Sequence, residues 1–133
     1  MAANTRTLAA AALIAGTAAL PAHAERVACH VTYGGETRII GAAASTQALT
    51  VAPVSIGSYF MFRIVFRKEP ADLATIKLYT YADRDDGPTI IHQATYAYPP
   101  APGPVHGFTG LNFIYEPVRD GELQYWCELK GQP

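Results

Sequence analysis

Cys29 and Cys127 stand near opposite ends of this 133-residue chain, and each belongs to an alternating run. Val27, Cys29, Val31 and Tyr33 are apolar at every second position. So are Leu123, Tyr125, Cys127 and Leu129, with Glu122, Gln124, Trp126 and Glu128 between them. A period of two belongs to a strand with one buried face, and it places both sulfurs in the buried phase. The two cysteines can therefore meet in one core, as a disulfide joining the first and last strands. The bond would close a loop of 127 − 29 = 98 residues, for which chain-entropy treatments give about 4–5 kcal/mol of stabilisation. For a small domain that is a large share of its net stability.

A structural disulfide implies an oxidising compartment, and the N-terminus offers a route to one. "MAANTRTLAAAALIAGTAALPAHA" carries Arg6 as its only charge, then an apolar run from Leu8 to Leu20, then the small-residue triplet Ala22-His23-Ala24. This is the layout of a secretory signal peptide cleaved after Ala24. The run falls short of the roughly 20 apolar residues that span a bilayer, so no transmembrane segment is expected. The expected organisation is a cleaved signal peptide over 1–24 and a single domain over 25–133, located in the periplasm or outside the cell. The Ala-rich signal points to a bacterium. Glu25 and Arg26 separate the apolar run from Cys29, which argues against a lipid-anchored cysteine. Without C-x-x-C spacing, a redox pair is also disfavoured.

Loss of Arg6 leaves 10 − 1 = 9 Lys and Arg against 11 Asp and Glu. A net charge of 9 − 11 = −2 favours neither nucleic acid nor an anionic membrane as partner.

Between the cysteine strands lie further runs rich in β-branched and aromatic residues: "TRIIGA", "ALTVAPVSI", "SYFMFRIVFR", "TIKLYTY", "TIIHQATYAY" and "GLNFIYEP". Gly, Pro and Asp clusters separate them. "KEPADLA" is suited to one short helical turn, and "YPPAPGPVHG" is the one long loop candidate. Seven to eight short antiparallel strands, the first and last joined by a disulfide, predict an all-β sandwich similar to immunoglobulin-like domains. The resemblance is to a fold class only. Trp126 lies beside the second cysteine, whereas the antibody pattern places its tryptophan between the two.

Signatures of hydrolases, zinc proteases and nucleotide enzymes (G-x-S-x-G, H-E-x-x-H, phosphate-cradling glycine loops) are absent, and no cofactor is implied. The acidic stretch Asp83, Asp85, Asp86 followed by Gly87 raises the question of calcium. An EF-hand loop starting at Asp83 would need Gly at its sixth place and Glu at its twelfth, which hold Pro88 and Ala94. A solvated hairpin turn uses the same Asp and Gly. Copper or zinc would need His30, His92, His106, Met61 or the cysteines to converge, and His30 is in the strand phase opposite to Cys29.

The strands beside the acidic turn suggest a surface. Phe60, Phe62, Ile64 and Phe66 share one phase and leave Arg63 in the other. Ile76 and Leu78 likewise oppose Lys77, Tyr79 and Tyr81. If Tyr81 pairs with Ile90, an unbroken alternation adds His92, Tyr96 and Tyr98 to the tyrosine face, whereas a one-residue slip substitutes Ile91, Gln93 and Thr95. Tyr79, Tyr81, His92, Tyr96, Tyr98 and Arg63 thus form the candidate binding set, suited to a protein partner or a glycan. The same residues also suit the ordinary outer face of a sheet. The sequence therefore predicts a small exported non-catalytic binding or accessory module. The alternative is a periplasmic metal-binding protein using Asp83, Asp85 and Asp86, or His92.

Overall fold

The computed structural model describes residues 2–4, 9–17, 24–103 and 105–131. Much of the expected signal peptide, including Arg6, Ala22 and His23, lies outside the described residues. Residues 9–17 form neither helix nor strand, and Leu13 and Ile14 are 96% and 91% exposed. Among the described residues no helix is long and apolar enough to cross a membrane.

The described residues form eight strands: β1 (Arg26–Tyr33), β2 (Glu36–Ala43), β3 (Val54–Ile56), β4 (Phe60–Arg67), β5 (Thr75–Arg84), β6 (Gly87–Ala97), β7 (Asn112–Glu116) and β8 (Gly121–Lys130). They form two four-stranded antiparallel sheets, in the orders β2-β1-β8-β7 and β3-β4-β5-β6. The period-two pattern gives each sheet one apolar face, and the two faces share a single core. Val27, Cys29, Val31, Ile114, Leu123, Tyr125 and Cys127 come from the first sheet. Ile56, Phe60, Phe62, Ile64, Phe66, Ile76 and Leu78 come from the second. Phe62 and Tyr125 meet across the layers, with ring centroids 5.2 Å apart.

Cys29 and Cys127 are paired in register on adjacent strands, fully buried and disulfide-bonded, with Cα atoms 4.0 Å apart. The Cys127 amide donates to Thr109 Oγ1 (2.9 Å) and its carbonyl accepts from the Phe108 amide (3.0 Å). Its backbone bonds are thus spent on the far side of β8. The cysteine pair is left without mutual backbone bonds, the arrangement in which opposed side chains come closest. The first and last strands are therefore joined as their phases imply, but within one sheet. The corresponding bond of antibody domains bridges the two sheets.

Two segments depart from the expected runs. In "ALTVAPVSI" only Val54–Ile56 is strand, and Ala48–Thr50 forms a first 3-10 turn closed by Thr50 N–H to the Gln47 carbonyl (2.9 Å). Pro53, lacking an N–H, cannot extend the ladder backward, and Ala48 is buried at 3% exposure. "KEPADLA" holds the expected turn, a second 3-10 turn at Ala71–Leu73. The proline loop between β6 and β7 docks onto β8 at Gly107. A Cβ there would lie 2.0 Å from the Cys127 carbonyl oxygen, so only glycine permits this approach.

Candidate functional site

Outer-facing residues of the second sheet follow from its register: Met61 opposite Tyr81, Arg63 opposite Tyr79, Val65 opposite Lys77, Arg67 opposite Thr75. The Arg63 guanidinium lies 4.5 Å from the Tyr79 ring centroid and 5.9 Å from that of Tyr81. The two tyrosine rings are 6.3 Å apart and inclined by 27°. Stacking on aromatic faces holds a guanidinium in place and leaves its in-plane N–H groups free of the rings. Among the described residues no carboxylate pairs with Arg63, and its Nε is buried without a hydrogen-bond partner.

The remainder of the tyrosine set is not on this face. Tyr81 does pair with Ile90, but Thr80 pairs with His92, so β6 carries Ile91 as an extra residue in a bulge. One inserted residue reverses the phase of everything after it. Gln93 and Thr95 consequently stand beside Tyr79 and Lys77, while His92, Tyr96 and Tyr98 turn toward the core. His92 Nδ1 lies 3.5 Å from the Tyr125 hydroxyl, and burial lowers the imidazole pKa. Tyr96 packs edge-on against Phe108 at 5.2 Å, and burial raises its phenol pKa. Tyr98 packs against Phe66 and donates its hydroxyl to the Glu25 carboxylate, which also lies 3.3 Å from Lys68 Nζ. The expectation of one continuous face over Tyr79, Tyr81, His92, Tyr96 and Tyr98 is thus corrected by the bulge. Arg63, Tyr79 and Tyr81 remain together on the outer side of the sheet, with Arg63 and Tyr79 partly exposed and Tyr81 buried at 8% exposure.

Within the acidic loop, Asp85 and Asp86 make the tight link between Arg84 and Gly87, and Gly87 takes a φ of 118° that side chains disfavour. Arg119 from the β7–β8 turn donates to the Asp83 carbonyl (2.6 Å) and lies 3.7 Å from the Asp85 carboxylate. Glu116 is buried beneath the same two turns. It accepts from Arg84 (3.0 Å) and from the amides of Val118 (3.1 Å) and Arg119 (2.9 Å). Burial alone would raise the Glu116 pKa, but the Arg84 bond and the two amides outweigh it and hold the carboxyl below its ordinary value. The loop is therefore latched to its neighbour by arginines. Among the described residues no three His, Cys, Asp or Glu side chains gather as metal ligands.

Two features escape a reading by strand phase. On the outer face of the first sheet, His30 stacks on Trp126 at 3.8 Å with rings 3° from parallel, and its Nε2–H donates to the Glu128 carboxylate at 2.7 Å. His106, at a φ of 58° just before Gly107, stands edge-on to the same indole at 5.7 Å. His30 and Trp126 share a phase in the sequence, but nothing local places His106 beside them. The second feature is a cavity of about 410 Å³ on the outer face of the second sheet, flanked by the two 3-10 turns. Its walls come from three separate segments, the first turn with Thr46 and Gln47, Val65 and Arg67 of β4, and Leu73 with Thr75 and Lys77.

No protein-family model matches the chain, and neither does any curated protein or solved structure.

Proposed function

We propose that the chain is a small exported, non-catalytic binding module. In this reading a domain over 25–133 is released from a signal peptide over 1–24 into the bacterial periplasm or the cell exterior. It holds a protein or glycan partner on the outer face of the second sheet. The observation that carries the reading is Arg63, stacked on Tyr79 and Tyr81 and, among the described residues, within 4.0 Å of no carboxylate. A guanidinium held in this way offers paired donors to acceptor oxygens, and the rings offer rigid contact area at low entropic cost. Export is supported by the buried disulfide and by the exposed, irregular stretch 9–17, which packs on nothing in the sandwich. The immunoglobulin-like class stays part of the proposal, on the strength of eight strands in two antiparallel sheets. The metal-binding alternative draws no support from Asp83, Asp85, Asp86 or His92, since Arg119 engages the loop and His92 faces Tyr125.

The test is capture from periplasmic extract and on a glycan array, with the parent protein and with Tyr79→Ala and Arg63→Gln. Interface anchors of this kind contribute about 2 kcal/mol or more, so each variant should lose at least tenfold in capture while keeping the parent's melting temperature. Unchanged capture by both variants would remove the tyrosine platform from the function.

A further inference from the structure

The cavity between the two 3-10 turns has a composition of its own. Its floor is Val65 and Ala48, each 3% exposed, while Leu49 of the first turn and Leu73 of the second line it at 67% and 52% exposure. A single exposed leucine is ordinary on a protein surface. Two that face one cavity over a buried apolar floor make a concave apolar surface left partly open to water. Arg67 and Lys77 line it as well, with Thr46, Gln47, Thr50 and Thr75 as its uncharged polar residues. Arg67 spends only its Nε, on the Glu69 carbonyl at 3.1 Å, and among the described residues neither cation has a carboxylate within 4.0 Å. In a chain of net negative charge, two cations at the mouth of an apolar pocket form a local field of the opposite sign.

We propose that this cavity binds a free anionic amphiphile, an alkyl or aryl carboxylate whose apolar part lies between Leu49 and Leu73 and whose charge meets Arg67 and Lys77. The apolar part would remove the leucines from water, and the carboxylate would supply the acceptors the two cations lack. This site does not rest on the Arg63–Tyr79–Tyr81 platform, and failure of partner capture there leaves it standing.

The experiment uses the mature protein and pure compounds below their micelle concentrations: sodium decanoate, decanol and decyltrimethylammonium. Binding is followed by calorimetry and by the methyl resonances of Leu49, Leu73 and Val65. Decanoate should bind and shift those methyls, decanol should bind at least tenfold more weakly, and the ammonium compound should not bind. The double variant Arg67→Gln, Lys77→Gln should lose at least tenfold in decanoate affinity and keep that for decanol. If it does not fold, Lys77→Gln alone should lose at least threefold. Absence of decanoate-dependent shifts at the three methyls, decanol binding as tightly as decanoate, or variants that bind like the parent would overturn the proposal. So would phosphatidylglycerol vesicles that sediment the protein while monomeric decanoate leaves the methyls unmoved.

Discussion

Glu116 and His92 both have pKa values that the fold lowers, and they act in different pH windows. The Glu116 pKa is held below 4.5, so the stability it contributes is complete above that value and is lost as pH falls through the folded-state pKa. Removing one partner of a buried pair strands the other, and Glu116→Gln leaves Arg84 and two amides without a carboxylate. The variant's melting temperature at pH 7 should fall by about 5 °C or more, with the gap to the parent closing as pH drops well below 4.5. The His92 pKa is lowered from 6.5 by burial, so the unfolded chain takes up its proton first as pH falls. Stability contributed by neutral His92 is therefore present above pH 6.5 and declines as pH falls toward the folded pKa. Thermal melts of His92→Gln between pH 7 and 5 should show a flatter pH dependence than the parent. An unchanged slope would mean that another group carries that transition.

Among the elements, the β5–β6 hairpin decides which aromatic residues are free to act. With Ile91 as an inserted residue, Tyr79 lies outside and Tyr96 inside, although an unbroken alternation from the Tyr81–Ile90 pair puts them on one face. Tyr96→Ala should accordingly cost about 2–4 kcal/mol, as truncation of a packed aromatic does, whereas Tyr79→Ala should cost well under 1 kcal/mol. Denaturant unfolding of the two variants checks this, and equal costs would contradict the register. Strand existence and phase were legible in the chain because alternation is a local property, and Cys29, Phe62, Leu78 and Cys127 each fall on the buried side by that pattern. The bulge was not, because "TIIHQ" reads as an ordinary run and the inserted residue is defined only by its partner strand. The Leu49–Leu73 cavity was illegible for a similar reason. Its turns take their meaning from the sheet they lie on, and "ALTVAPVSI" has the composition of a strand whether or not Ala48–Thr50 coils into a turn.

For the molecule as a whole, the Cys29–Cys127 bond is the dominant long-range constraint, at a sequence separation of 98. Cys29→Ala with Cys127→Ala should lower unfolding free energy by about 2–5 kcal/mol, read from denaturant curves of the oxidised parent and the variant. A loss below 1 kcal/mol would indicate that the reduced chain retains compensating structure when unfolded. The placement of the bond within one sheet has a mechanical meaning as well. β1 and β8 lie side by side and antiparallel, and Gly131 approaches Ala24 and Glu25 so closely that a Cβ there would lie 2.9 Å from the Ala24 carbonyl oxygen. A pull applied to the two ends of the sandwich therefore peels these strands apart one pair at a time, the direction in which a ladder resists least. Peeling can open Arg26–Lys130, Val27–Leu129 and Ala28–Glu128, and there it meets a covalent stop. Tension carried through the ends passes from Cys29 to Cys127 through the sulfurs, so the 98-residue loop between them bears none of it.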